Sequence, residues 1–236
     1  MIVVADNKPY LIVYEFVFEN NRIKKFTISL NPKTIEIIPH EKQKKASWAK
    51  LKNNQCVCCP LNPRIHKYCP ISLNIAELVE EFKEMISSDS CLVRCIIPER
   101  IYIKQTSIME GLSSIFGIIM ATSSCPIMAF LKPMARFHLP FSTVEETVVR
   151  STSMYLLRQY FAYRKNKIPD LALKKLDNLY ANVKLLNKGI LARIKSVVAQ
   201  DADMNAIFIL HSLSENLTME IDFSLESLEY LFMTEI

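Results

Sequence analysis

The sequence predicts an α+β fold in which a small N-terminal antiparallel β-sheet precedes a Cys-rich connector and a C-terminal helical bundle. Three observations predict it. Apolar and polar residues alternate near the N-terminus, five side chains able to bind a metal crowd residues 55–71, and most of the later chain has helical apolar periodicity. The predicted regions are 1–54, 55–71 and 72–236, with one extended segment near 92–104, and we expect them to form one compact unit.

The predicted sheet begins with two strands, at 10–18 and 23–30, joined by the polar turn Glu19–Arg22. Asn31-Pro32 ends the second strand, and Thr34–Ile38 offers a short third one, which predicts an antiparallel meander. Residues 92–104 alternate as a strand does, although Pro98 interrupts them, and this segment is a candidate to extend the same sheet.

Helices are predicted from apolar periodicity and from capping residues. An apolar stripe predicts a helix over Ser72–Ile86. The capping boxes Ser107-x-x-Glu110 and Ser142-x-x-Glu145 predict helices that end near Ala121 and Arg164. Three further helices are predicted at 169–197, with Pro169 in the first turn and Gly189 as a possible bend, at 203–213 and at 224–232.

Composition narrows the classes of function. Only 3 of the 236 residues are Gly, and no glycine-rich phosphate-binding motif is present.

Residues 111–131 carry no charge, but their serines and Pro126 favour a buried helix over a membrane span. No signal-peptide pattern opens the chain, because Asp6 and Lys8 interrupt its apolar start. Seven cysteines without an export signal predict a cytoplasmic protein whose clustered cysteines are metal ligands before they are disulfides.

Four cysteines form the candidate metal site. Cys56 and Cys59 have the Cys-x-x-Cys spacing that lets one tight turn direct two sulfurs at one ion; Cys69 follows, and the fold must bring in Cys125. His66 and Cys58 are the alternative ligands. Zinc is the first candidate and an iron–sulfur cluster the alternative, because Pro follows three of the cysteines, as is common at cluster ligands. A redox Cys-x-x-Cys pair is a further option, and Cys91 and Cys95 are predicted to be ordinary buried residues.

A second group of candidates lies in the Pro-bounded segment 132–141. Arg136 and His138 stand there among apolar residues and could bind an anionic ligand and perform acid–base chemistry beside the cysteines. The alternative is that Arg136 pairs with Glu145 or Glu146 and that His138 caps a helix end. The sequence leaves open whether the protein is an enzyme.

The net charge of +5 comes partly from the loop Lys42–Lys52, which holds five lysines. Such a run is usually a solvated loop, and a nucleic-acid or anionic-partner surface is the alternative. Trp48 is its only aromatic residue, and one ring does not make a platform for stacking bases. A nucleic-acid partner is therefore disfavoured, and the expected partner is another protein or a small anionic ligand.

The chain resembles a family of bacterial proteins of unknown function. The resemblance covers most of the chain, and its more specific strings are Cys59-Pro60-Leu61 and Arg136-Phe137-His138-Leu139-Pro140-Phe141. It is also carried by Trp48-Ala49-Lys50-Leu51, Cys69-Pro70, Arg100-x-Tyr102-x-Lys104, Gly111-Leu112-Ser113-Ser114, Cys125-Pro126, Glu146-Thr147, Arg150, Ser153-Met154-Tyr155-Leu156-Leu157 and Asp201-Ala202-x-x-Asn205-Ala206. It implies an N-terminal β region and a C-terminal helical region, with no activity to carry over. Cys58 departs from the family pattern, which favours Cys56 and Cys59 as the working pair.

The sequence-based hypothesis is an accessory or regulatory protein whose Cys-ligated metal is structural. A metal- or redox-dependent enzyme that uses Arg136 and His138 is the first alternative. An adaptor that binds nucleic acid or an anionic partner through Lys42–Lys52 is the second.

Overall fold

The structure is a computed structural model that describes residues 8–40, 45–197 and 225–233. Within these ranges a four-stranded antiparallel sheet is built from β1 (Tyr10–Val17), β2 (Ile23–Leu30), β3 (Ser90–Ile97) and β4 (Arg100–Ser107), in the order β2-β1-β3-β4. The helices are α1 (Pro70–Phe82), α2 (Ile108–Thr122), α3 (Lys132–Arg136), α4 (Val144–Tyr163) and α5 (Lys174–Lys195). A mixed α and β architecture with an N-terminal antiparallel sheet is thus confirmed.

The meander predicted for the first three strands is wrong. Residues 34–38 contribute only a single bridge, between Ile37 and Leu30, because Pro32 and the left-handed backbone of Ile35 turn the chain away. The place beside β1 is taken by β3, with Val13 opposite Ile96 and Val17 opposite Leu92. The extended segment near 92–104 is broken into two strands at Pro98, which forms a tight turn with Glu99.

One face of the sheet packs against α1 and α2. The inward residues of β1 and β3 alternate along each strand, as the pleat requires: Tyr10, Ile12, Tyr14, Phe16, Cys91, Val93, Cys95 and Ile97. Phe16 meets Phe82 of α1 edge-on, with ring centroids 4.9 Å apart. Gly111 of α2 lies so close to the sheet that an added Cβ would be 2.5 Å from the Phe16 ring and 2.8 Å from Val93.

The helix boundaries follow the capping residues that the structure uses. Ser107 caps α2 as predicted, because its hydroxyl accepts from the Glu110 amide at 3.3 Å. The box predicted at Ser142 and Glu145 is one residue off, since Thr143 and Glu146 bond reciprocally there.

Two other predicted helix bounds also differ. The first helix ends at Phe82, four residues before the predicted end at Ile86, and Ile86 is exposed. The helix predicted from Pro169 begins only at Lys174, after Leu173 adopts a left-handed backbone, and it continues through Gly189. Residues 225–228 are helical, while the helix predicted at 203–213 lies outside the described residues.

Candidate metal centre and the adjoining cavity

Cys56, Cys59, Cys69 and Cys125 line one small cavity. It lies between the connector, the start of α1, the segment after α2, and α5. Its volume is about 10 Å³, the space of roughly one water molecule. The rest of its lining is apolar apart from one arginine: Leu51, Leu61, Pro70, Ile71, Ile127, Leu186, Ile190 and Arg193. The tertiary structure therefore brings the remote Cys125 to the three cysteines of the connector.

Local backbone bonds hold each thiol in place. The Cys59 amide donates to the Cys56 carbonyl at 2.9 Å, which closes the tight turn expected of the Cys-x-x-Cys pair. Cys69 immediately precedes α1, and its amide donates to the Ala49 carbonyl at 2.8 Å. The segment after α2 turns at Cys125, where the Met128 amide donates to the Cys125 carbonyl at 3.1 Å.

Gly189 allows α5 to approach the connector. A Cβ added there would lie 2.5 Å from the Sγ of Cys56 and 3.2 Å from its Cα. Only a residue without a side chain leaves room for Cys56 at this distance. The Cys56 thiol in turn donates to the carbonyl oxygen of Leu186 at 3.7 Å. The glycine predicted as a possible bend is thus a contact point between helix and connector.

Burial keeps two of these thiols, Cys56 and Cys125, protonated when no metal is present. Burial, with a smaller contribution from the nearby Cys69, raises the pKa of Cys56 to about 12. Burial also raises the pKa of Cys125 to about 11, while the backbone amides of Ile127 and Met128 act in the opposite direction. Pro126 has no amide proton, so these are the first two amides after Cys125. Metal binding here must release protons.

Arg193 is the charged group of this cavity, and the sequence analysis missed it. It is 1% exposed, and its Nη atoms donate to the carbonyls of Lys50 at 2.7 Å, Leu51 at 2.9 Å and Trp48 at 3.3 Å. Its Nε has no hydrogen-bond partner, and among the described residues no carboxylate pairs with it. Its position on the apolar stripe of α5, three residues after Ile190, was the signal that it would be buried.

The side chains present fit a tetrathiolate metal centre by their chemistry. Thiolates are soft ligands, and four of them with a divalent ion carry two net negative charges, which would compensate a buried guanidinium. Within the described ranges no three His, Cys, Asp or Glu side chains are already arranged to hold an ion. The four thiols therefore border the cavity without forming a coordination sphere as they stand.

The two alternative ligands lie elsewhere. Cys58 directs its thiol to the carbonyl of Asn182 in α5, at 3.4 Å, and does not line the cavity. His66 is exposed and does not line it either. Cys91 and Cys95 are buried in β3, as expected of ordinary core cysteines.

A second, larger cavity of about 500 Å³ lies between α2, α3, the first turns of α4, and α5. His138 lines it. Its Nε2 lies 2.5 Å from the Tyr14 hydroxyl, and burial lowers its pKa to about 3, with the charge of Arg150 acting in the same direction. His138 is therefore a neutral imidazole in the native protein, and it bonds to Tyr14 instead of capping a helix.

Arg136 does not share this cavity with His138. Its guanidinium lies 4.2 Å from the centre of the Tyr10 ring and 3.5 Å from Glu99. The predicted pairing with Glu145 or Glu146 is wrong, because the turn between β3 and β4 supplies the carboxylate instead. The two candidates from one short segment thus have separate surroundings.

The Lys-rich loop is described only in part. Lys42 and Lys44 lie outside the described residues. Lys50 forms a backbone bridge with Tyr68, and Trp48 packs half-buried against the core. This end of the loop belongs to the framework around the cysteines.

The chain belongs to the family described as a domain of unknown function, DUF6901, whose model matches residues 12–233. Neither a curated protein nor a solved structure matches the chain. No helix in the described part of the chain combines the length and apolar character that crossing a bilayer requires.

Proposed function

We propose that Cys56, Cys59, Cys69 and Cys125 bind one zinc ion in a closed structural site, and that the protein acts as an accessory or regulatory protein stabilised by that ion. The observation that carries the proposal is that these four thiols border one cavity beside a buried arginine that has no carboxylate partner among the described residues. Four protein ligands leave no open position for a substrate. The site therefore stabilises the fold and performs no chemistry.

Each residue has a defined task in the proposed site. Cys56 and Cys59 supply two ligands from one turn, Cys69 supplies a third where the dipole of α1 favours negative charge, and Cys125 supplies the fourth. The proposal requires the thiol side chains to rotate so that their sulfurs meet at one centre. Zinc, when bound, supplies the cross-link between these segments, and Arg193 balances part of its thiolate charge.

Zinc is preferred to an iron–sulfur cluster because of the size of the cavity. The same four thiols could ligate either group. A volume of about 10 Å³ suits a single ion, whereas a cluster would require the apolar lining to move apart.

Metal analysis of the intact chain, purified without chelator or oxygen, tests the proposal. We expect one zinc per chain, and we expect Cys56→Ser and Cys125→Ser to lose the metal and to melt at lower temperature. Cys58→Ser is the matched control, because its thiol contacts α5 outside the cavity, and it should retain the metal. A brown protein that contains iron and sulfide would mean that the site holds an iron–sulfur cluster instead of zinc. Protein without metal, or equal loss in the control, would refute the site.

A catalytic role for Arg136 and His138 acting together has no comparable support. Arg136 contacts Glu99 and Tyr10 and lines neither cavity. His138 lines the larger cavity, away from the four cysteines.

A further inference from the structure

The large cavity has the dimensions and lining of a small-molecule site. Its volume of about 500 Å³ falls within the range of roughly 300–1,000 Å³ that is typical of ligand pockets. Its apolar lining comes from several elements, with Ile118 and Met120 in α2, Met134 in α3 and Val183 in α5 among the contributors. It shares none of the four cysteines of the proposed zinc site. A ligand here would bury an apolar body independently of the metal.

Arg150 places a positive charge on the wall of this cavity, and the nearest carboxylate that acts on it electrostatically is Glu146, one helical turn earlier. Its Nη2 donates to the carbonyls of Phe137 at 2.7 Å and Met134 at 3.2 Å, which fixes the guanidinium. Its other nitrogens make no hydrogen bond within the described residues, where no carboxylate forms a salt bridge with it. Lys104, the other cation of the lining, already pairs with Glu110 at 3.3 Å. The remaining charge therefore favours an anionic group.

His138 adds a neutral hydrogen-bonding group beside this charge. Its Nε2 is engaged by the Tyr14 hydroxyl, which leaves Nδ1 as the ring atom that can bond to a ligand. His138 and Arg150 both line the cavity, and Arg150 bonds to the carbonyl of Phe137, the residue before His138. A carboxylate could receive a charge-assisted bond from Arg150 and a neutral one from His138.

We propose that the cavity between α2, α3, α4 and α5 binds an amphipathic carboxylate, a molecule whose apolar body fills the Met- and Ile-lined interior and whose carboxylate lies at Arg150 and His138. The ligand class follows from an apolar volume with one fixed guanidinium that forms no salt bridge within the described residues. The inference does not depend on the zinc proposal, because the two sites share no ligating residue.

Isothermal titration of the intact, metal-containing protein with decanoate and with decan-1-ol tests this proposal. The two probes have the same apolar chain and differ in the charged group. We expect saturable binding of decanoate, tighter than that of decan-1-ol by roughly tenfold to a hundredfold, because a hydrogen bond to a charged group contributes more than a neutral one.

Two variants separate the charge from the apolar volume. Arg150→Gln should reduce decanoate affinity to that of decan-1-ol and leave decan-1-ol binding unchanged. Arg136→Gln is the matched control, since its guanidinium lies on Tyr10 outside the cavity, and it should change neither affinity. Gly117→Leu adds a side chain to the lining of the cavity and should weaken both probes.

A measurement on the unaltered protein covers the case in which Arg150→Gln does not fold. The NMR signals of the His138 ring should shift on addition of decanoate and saturate with the calorimetric affinity. Absence of saturable decanoate binding would overturn the proposal. Equal affinity for the two probes, equal losses in Arg150→Gln and Arg136→Gln, or an unmoved His138 signal at saturation would do the same.

Discussion

His138 shows at the level of one residue how burial determines protonation. Its pKa is lowered to about 3 in the folded chain, whereas an unfolded histidine titrates near 6.5. Below pH 6.5 His138 therefore binds a proton in the unfolded chain but not in the native protein. The stabilisation that comes from a neutral His138 is fully present above pH 6.5 and is lost as the pH falls towards 3.

This residue gives a pH-dependent prediction. The free energy of unfolding should fall by about 2–3 kcal/mol between pH 6.5 and 4.5 on account of His138 alone. His138→Gln has no proton to gain, so its stability should depend less steeply on pH over the same interval. Urea denaturation at several pH values measures both slopes. Parallel slopes in the two proteins would mean that His138 is not kept neutral by the fold.

The start of α4 shows at the level of an element which of two adjacent hydroxyls acts as the cap. The Thr143 hydroxyl accepts from the Glu146 amide at 3.2 Å, and the Glu146 carboxylate accepts from the Thr143 amide at 2.8 Å. The Ser142 hydroxyl instead lies 3.2 Å from the Thr147 hydroxyl. The sequence Ser142-Thr143-Val144-Glu145-Glu146 contains two overlapping capping boxes, one from Ser142 to Glu145 and one from Thr143 to Glu146. Pattern alone cannot distinguish them.

The capping geometry predicts different results for these two hydroxyls. Thr143→Ala should destabilise the protein by about 1 kcal/mol, since it leaves an amide of the first turn without its partner. For a chain of this size that corresponds to a melting temperature about 2–4 °C lower. Ser142→Ala is the matched control and should change stability by less than about 0.5 kcal/mol. Calorimetry would reject this assignment if Ser142→Ala proved the more damaging change.

The contact between α5 and the connector joins distant parts of the whole molecule. Cys56 sits against Gly189, and Arg193, one helical turn later, donates to three carbonyls of residues 48–51. Residues 48–51 and the cysteine connector are thus fixed to α5. A change at Gly189 tests this arrangement without removing a candidate ligand.

Gly189→Ala should destabilise the protein by about 1–3 kcal/mol. The added Cβ would lie 2.5 Å from a sulfur and 3.2 Å from backbone, and overpacking of this kind outweighs the roughly 1 kcal/mol that Ala normally gains over Gly in a helix. Gly117→Ala is the control, because that glycine lines the large cavity, and it should stabilise the protein. Chemical denaturation compares the two. A stabilising Gly189→Ala would mean that α5 does not approach Cys56 this closely.

Local patterns in the sequence were enough to predict several elements. The first two strands, the helix after Ser107 and the apolar stripe of the first helix follow from alternation, capping and periodicity, which depend on neighbouring residues. The four candidate thiols were also named from sequence, because cysteines at this spacing, followed by proline, form a recognisable pattern. The predicted metal itself stays a prediction.

Only the tertiary structure decided which distant residues meet. The pairing of β1 with β3, the position of Cys125, the buried Arg193, and the partners Glu99 for Arg136 and Tyr14 for His138 all join residues far apart in the chain. Such contacts are selected by packing and by the need to pair buried polar groups, and these act on the whole folded molecule. The sequence by itself therefore determined which elements form and which side chains could bind a metal, whereas long-range packing determined what each of those side chains faces.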